Sequence, residues 1–77
     1  MIKCNLARYM GEKTLKISDV SKKTGIDRGT ITRLYKGTAV RVEFDVLAEL
    51  CLFLNCEIGE LLEVTEEAKQ DYLRKRR

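Results

Sequence analysis

Apolar residues recur along most of this chain at intervals of three and four, and glycines separate the groups. This spacing is typical of short amphipathic helices, whereas alternation with period two is nearly absent. The fragment RVEF near Arg41–Phe44 is the only strand-like one, and it is too short to build a sheet. We therefore expect an all-α domain, a compact five-helix bundle. The predicted helices lie at about Ile2–Met10, Ile17–Thr24, Arg28–Lys36, Phe44–Leu54 and Ile58–Glu63.

The second and third predicted helices have the clearest boundary signals. Gly25 suits the residue after a helix because it adopts a positive φ without a Cβ clash, and Gly37 can end the next helix in the same way. Asp27 is a strong N-cap for the third helix. The connection Gly25-Ile26-Asp27 is short, and Ile26 is placed to fill the angle between the two helices. This arrangement is the helix-turn-helix pattern, at about residues 17–36.

The outward face of the third helix is cationic, hydroxylated and small. On a helical projection Ile31 and Leu34 share the inner side, and the outer side holds Arg28, Gly29, Thr32 and Arg33. A helix fits the major groove of B-DNA, where arginine can pair with guanine and threonine can hydrogen-bond or contact a thymine methyl. We interpret these four residues as base-reading candidates. Ordinary solvated helix charges are the alternative for the two arginines.

The fourth and fifth predicted helices supply the rest of the core. Leu52 and Phe53 fall outside the apolar stripe of the fourth helix, which favours either a dimer contact or packing on the C-terminal segment. The three cysteines have two interpretations, core packing or redox sensing, and the place of Cys51 on the stripe favours packing. The residues expected inside are Phe44, Leu47, Leu50, Cys51, Leu54, Ile58, Leu61 and Leu62.

A length of 77 residues allows one packed domain, which we place at residues 1–64, and a C-terminal tail at 65–77. The tail can add a helix capped by Thr65 and ending in the basic run Arg74–Arg77. The net charge of +3 is unevenly distributed. Residues 1–41 have ten basic and three acidic side chains, whereas residues 42–77 have five basic and nine acidic ones. Such segregation indicates that the N-terminal half faces a polyanion.

Several classes of protein are excluded by the composition. No apolar run approaches the length of a membrane span, and the N-terminus lacks the apolar segment of a secretory signal. Three cysteines without a CxxC spacing, and no histidine, argue against a disulfide framework and against the common zinc sites. We expect a cytoplasmic protein with no metal, no cofactor, no small-molecule domain and no enzymatic activity.

The stretch from Leu15 to Leu62 resembles the phage-repressor/Cro-type (Xre) helix-turn-helix family, and the likeness extends over about Leu6–Glu63. The resemblance implies a lambda-repressor-like domain of five helices that binds operator DNA, usually as a dimer. Positions 29 and 27 depart from the pattern, with a glycine in a base-reading place and an acid in place of the usual Ser/Thr cap. The matching residues are Val20, Gly25, Ile26, Ile31, Leu34, Gly37, Leu47, Leu50, Cys51, Leu54, Ile58, Leu61 and Leu62.

The same resemblance assigns roles to individual positions. The first, second and sixth residues of the third helix would read bases, and these are Arg28, Gly29 and Arg33. Thr30, on the flank of this helix, is interpreted as a phosphate-side residue. The family's phosphate contacts fall at the start of the second helix and in the loop after the third, which here means Lys16, Ile17, Lys36, Thr38 and Arg41.

We therefore predict a sequence-specific regulator of transcription that binds double-stranded DNA as a homodimer. The alternative is a protein-interaction module, for example an antitoxin-like or adaptor domain. Its support is the acidic second half of the chain with Leu52 and Phe53 predicted outward.

Overall fold

The computed structural model describes residues 2–75. The three central helices have the predicted bounds, so the helix-turn-helix and the helix after it are confirmed. The elements in chain order are β1 (Ile2–Cys4), α1 (Leu6–Glu12), α2 (Ile17–Thr24), α3 (Arg28–Lys36), α4 (Phe44–Leu54), α5 (Ile58–Leu61), β2 (Leu62–Val64) and α6 (Glu66–Lys75).

The core is a single cluster of buried apolar side chains, to which α1 to α5 and the α2–α3 turn all contribute. Because these contacts fix the inner face of α3, they also determine which of its residues face outward. The cluster consists of Leu6, Met10, Val20, Ile26, Ile31, Leu34, Leu50, Leu54 and Leu61.

The expectation of a mostly helical domain is confirmed, and the sixth helix of residues 2–75 is the one that the tail could add, but the all-α expectation is wrong because a two-stranded sheet is also present. The predicted helix Ile2–Met10 is a strand, β1, followed by α1, and the fifth helix ends at Leu61 before β2. The strands are antiparallel, with Lys3 opposite Glu63 and their charged groups 4.0 Å apart. In the fragment Arg41–Phe44, predicted to be the most strand-like, residues 41–43 are irregular chain and Phe44 begins α4.

Asn5 joins the sheet to α1 and explains why the chain changes conformation there. Its backbone N–H donates to the Leu61 carbonyl at 2.7 Å, and its side-chain Nδ2 donates to the Glu60 carbonyl at 2.9 Å. Asn5 is buried, so these bonds are shielded from solvent, and they connect positions 55 and 56 residues apart. The pairing with residues 60–64 therefore overrides the helical spacing of the N-terminal apolar residues.

Two residues predicted in the core lie outside it. Phe44 is 87% exposed and Ile58 is 51% exposed. Both are the first residues of their helices, and periodicity overpredicts burial where the neighbouring element does not extend to the end of a helix. Cys51 is half-buried and packs against the core. Leu52 is exposed, as predicted, whereas Phe53 is half-buried against the core.

Residues 66–75 of the predicted tail form a regular helix, α6. Thr65 caps it, because its Oγ1 accepts a hydrogen bond from the Ala68 N–H at 3.2 Å. None of the residues of α6 is buried. The last two residues of the basic run, Arg76 and Arg77, lie outside the described residues. Within residues 2–75 no helix has the length and apolar character needed to cross a membrane.

Candidate nucleic-acid interface

The turn between α2 and α3 is held by its own short-range hydrogen bonds. Gly25 has φ +78°, and its N–H donates to the Ser21 carbonyl at 2.8 Å. The Ser21 hydroxyl donates to the Ile26 carbonyl at 2.7 Å, and the Ile26 N–H donates to Thr24 Oγ1 at 3.2 Å. Ile26 is buried between the helices, as its place in the turn predicted. These contacts fix the direction in which α3 leaves α2.

The start of α3 is fixed by Asp27. Its carboxylate accepts a hydrogen bond from the Thr30 N–H at 3.2 Å, which confirms the predicted N-cap. At the other end, Gly37 has φ +74° and ends the helix. With Ile31 and Leu34 buried, α3 has both ends and its inner face determined.

The four base-reading candidates lie on one outward face of α3. Arg28 and Arg33 are exposed, and Gly29 and Thr32 are half-buried between them. Such a face presents two guanidinium groups and one hydroxyl group, and Gly29 adds no side chain between them. It has the donor groups needed to meet guanine or adenine edges in a major groove.

Arg33 lies back along α3 toward the first turn. Its Nη2 donates to Thr30 Oγ1 at 3.4 Å. A Cβ placed on Gly29 would lie 3.4 Å from Arg33 Nη1 and 2.9 Å from Asp27 Oδ2. Because Gly29 has no side chain, the Asp27 carboxylate and the Arg33 guanidinium can both lie close to the backbone of α3 at this position. This role of Gly29 was not predicted, because it depends on the side-chain conformations of two other residues.

The phosphate candidates at α2 sit at the beginning of that helix. Lys16 is exposed and precedes the first helical residue, Ile17, which is half-buried against the core. The Lys16 N–H donates to Asp19 Oδ2 at 2.9 Å, so this N–H is not available to a phosphate. In the first turn of α2 the Asp19 N–H donates to the Lys16 carbonyl at 3.0 Å, which leaves the Ile17 and Ser18 N–H groups to donate to an anion. Asp19 orders this end of the helix and was not predicted, although its spacing from Lys16 is typical of a capping box.

The phosphate candidates after α3 differ in what they can donate. Lys36, Thr38 and Arg41 are all exposed. The Gly37 N–H donates to the Leu34 carbonyl at 3.3 Å, and the Thr38 N–H donates to the Arg33 carbonyl at 2.9 Å. These two amides close the end of α3, so Lys36 and Thr38 can contact a phosphate only through their side chains. Thr30, the remaining candidate, is half-buried, and its N–H and hydroxyl both form hydrogen bonds within α3.

The acidic part of the chain lies on other elements. From residue 42 to residue 68 the sequence contains eight acidic residues and neither lysine nor arginine. This segment forms α4, α5 and β2, whereas the basic candidates lie on α2, α3 and the loop after α3. The charge segregation therefore corresponds to a division between structural elements, which favours an approach to a polyanion from the α2–α3 side.

Comparison with known proteins agrees with this geometry. The family model of the Cro/C1-type HTH DNA-binding domain matches residues 5–67. A curated relative, the uncharacterized HTH-type transcriptional regulator YozG of Bacillus subtilis, is 21% identical over 72 residues, which cover 94% of this chain and 86% of the relative. The family match spans the core and both helices of the turn. The chain therefore belongs to the Cro/C1-type helix-turn-helix DNA-binding domain family.

Proposed function

We propose that the protein is a sequence-specific regulator of transcription that inserts α3 into the major groove of double-stranded DNA. The observation that carries the proposal is the outward face of α3, where Arg28, Thr32 and Arg33 project from a helix fixed at both ends. The YozG relative is named a transcriptional regulator, which supports the same role here. Three free, half-buried cysteines suit a reducing compartment, and we propose that the protein acts in the cytoplasm.

In this arrangement the side chains divide into two sets. Arg28, Thr32 and Arg33 read base edges, and an arginine that pairs with guanine through two hydrogen bonds contributes about 1–3 kcal/mol of discrimination. The second set, which contacts phosphates and sets the register on the duplex, consists of Lys16, Lys36, Thr38, Arg41 and the N–H groups at the start of α2. The α2–α3 turn holds the two sets at a constant relative position.

We further propose that a second copy of the chain binds to an apolar groove formed by α4 and α5. The groove is lined in part by Phe44, Leu52 and Ile58, all of which are exposed. The segment that forms the groove lies within residues 42–68, which contain no lysine or arginine, whereas the sequence ends in the basic run Arg74–Arg77, so the C-terminal end of another copy offers the complementary charge. A twofold dimer that places two α3 helices about 34 Å apart would match one turn of B-DNA.

The experiment that tests the DNA proposal begins with selection of bound duplexes from a random pool. The variants Arg33→Ala and Arg33→Lys are then compared on the selected and on a scrambled duplex. Because Lys keeps the charge but lacks the planar fork, both variants should lose about 5–150-fold on the selected site, equivalent to about 1–3 kcal/mol. On scrambled DNA, Arg33→Lys should bind like the wild type. Equal losses on both duplexes would contradict base reading by Arg33, and failure to enrich any sequence would favour the interaction-module alternative.

A further inference from the structure

The C-terminal end of α4 brings two cysteines together. Asn55 has φ +55°, and its N–H donates to the Leu52 carbonyl at 3.3 Å. The Cys56 N–H donates to the Cys51 carbonyl at 3.0 Å. This pair of bonds is a Schellman motif, in which the residue beyond the cap usually contacts the residue on the preceding turn through their side chains. Here both of those positions are cysteines.

The Schellman geometry places the two thiols side by side at the end of α4. The pKa of Cys56 is raised to about 11, by burial first and then by the charge and hydrogen bond of Cys51 and by the nearby Glu57 and Glu60. Both cysteines are half-buried free thiols. They line the same groove, which has a volume of about 540 Å³. Cys4 lies in β1 and lines a different cavity, so it is a separate single thiol.

We propose that Cys51 and Cys56 form a dithiol site that takes trivalent arsenic compounds, which bridge two neighbouring thiols. Within residues 2–75 no group of three His, Cys, Asp or Glu side chains is placed to enclose a metal ion, so a ligand satisfied by two sulfurs fits better. Arsenic binding at this site does not require DNA binding. Because Cys51 and Cys56 line the α4–α5 groove that is proposed to bind a second copy, the form that takes arsenic is the chain whose groove is unoccupied.

The chemistry needs no oxidant. With an aryl arsenoxide, each sulfur forms one bond to arsenic, and the two thiol protons leave with the arsenoxide oxygen as water. Arsenic keeps its oxidation state. After the first bond forms, the second is intramolecular, so the effective concentration of the second thiol is high. The apolar side chains of Phe44 and Leu52 provide a wall for the aryl group.

A reagent that attacks single thiols should behave differently. Alkylation by iodoacetamide requires the thiolate, which burial and the neighbouring groups disfavour at Cys56 at neutral pH. The site should therefore react slowly with a single-thiol reagent and readily with a bridging one. This contrast separates a preorganised pair from two independent cysteines.

The test uses the reduced full-length chain, phenylarsine oxide as the probe, and intact-mass spectrometry. Wild type and Cys4→Ser should each bind one phenylarsenic group per chain, which 1,2-ethanedithiol removes and a monothiol at the same concentration does not. Cys51→Ser and Cys56→Ser should each lose more than tenfold in apparent affinity. Binding that persists in either of these variants, or that disappears in Cys4→Ser, would overturn the proposal.

A second measurement covers the case in which a serine variant does not fold. Trypsin cleaves after Lys3, Arg8, Arg41 and Lys69, which leaves Cys4 on one peptide and both other cysteines on the peptide 42–69. In the wild-type adduct the arsenic should be found within peptide 42–69 with both of its thiols blocked. Arsenic that links Cys4 to another peptide, or that leaves one thiol of 42–69 open to alkylation, would refute the site.

Discussion

The substitution Gly29→Ala tests the geometry of the first turn of α3 directly. In a helix, alanine is more stable than glycine by about 1 kcal/mol. The added Cβ, however, would lie 2.9 Å from Asp27 Oδ2, which is too close, so the carboxylate must move. Movement weakens its bond to the Thr30 N–H, and loss of such a cap costs about 0.5–2 kcal/mol. Since the two effects oppose each other, we expect the free energy of unfolding to change by less than about 0.5 kcal/mol.

The opposing effects separate in a double-mutant cycle with Asp27→Ala. In that background both the cap and the obstructing oxygen are absent, so Gly29→Ala should stabilise the protein by the full helix-propensity gain of about 1 kcal/mol. The coupling energy between the two positions should then also be about 1 kcal/mol. Urea unfolding followed by circular dichroism measures each corner of the cycle. In thermal unfolding, a change of this size shifts the midpoint by about 4–8 °C.

Gly11→Ala is the matched control, because Gly11 is also a helical glycine but a Cβ there meets nothing within 4 Å. It should stabilise the wild type by about 0.5–1 kcal/mol. One result would refute this reasoning: Gly29→Ala stabilises the wild-type protein as much as Gly11→Ala does, and by the same amount as in the Asp27→Ala background. The capping carboxylate would then not lie where a Cβ on residue 29 meets it.

Three further predictions concern the phosphate set, the sheet junction and the apolar groove. Lys36→Ala should weaken binding to selected and scrambled duplexes alike and reduce the slope of log affinity against log salt by about 0.9, and an unchanged slope would remove Lys36 from the phosphate contacts. Asn5→Ala should lower the free energy of unfolding by about 1–3 kcal/mol, because it leaves the part-buried Glu60 carbonyl without its donor; a urea midpoint like that of the wild type would show that this bond contributes little. Leu52→Glu should change stability by less than about 0.5 kcal/mol and weaken self-association in sedimentation equilibrium, whereas Val40→Glu, at an exposed residue outside the groove, should change neither stability nor self-association; equal association constants for the two variants would argue against the groove as the dimer face.

The parts of this fold that the sequence predicts are those with local signals. Gly25, Asp27 and Gly37 determine the bounds of α2 and α3 through interactions within five residues, so the helix-turn-helix could be located from composition and spacing alone. The outward face of α3 follows from the same bounds. The direction of each outward side chain is then a matter of helical periodicity.

The parts that could not be predicted depend on distant or conformational information. The apolar spacing of residues 2–10 fits a helix, and only pairing with Leu62–Val64 makes its first residues a strand. The placement of Arg33 beside Gly29 depends on side-chain rotamers, which no periodicity specifies.

The small sheet has a consequence for the order in which the chain folds. The α2–α3 unit forms from neighbours in sequence, whereas the bonds of Asn5 to residues 60 and 61 close a loop that contains the whole helix-turn-helix. Strand pairing across such a loop forms more slowly than local structure, because the entropy of loop closure is lost before the distant contacts form, although this cost grows only with the logarithm of loop length. During synthesis, residues 2–4 have no strand partner until residue 64 has left the ribosome. We therefore expect α2 and α3 to form first and the pairing of β1 with β2 to complete the fold afterwards.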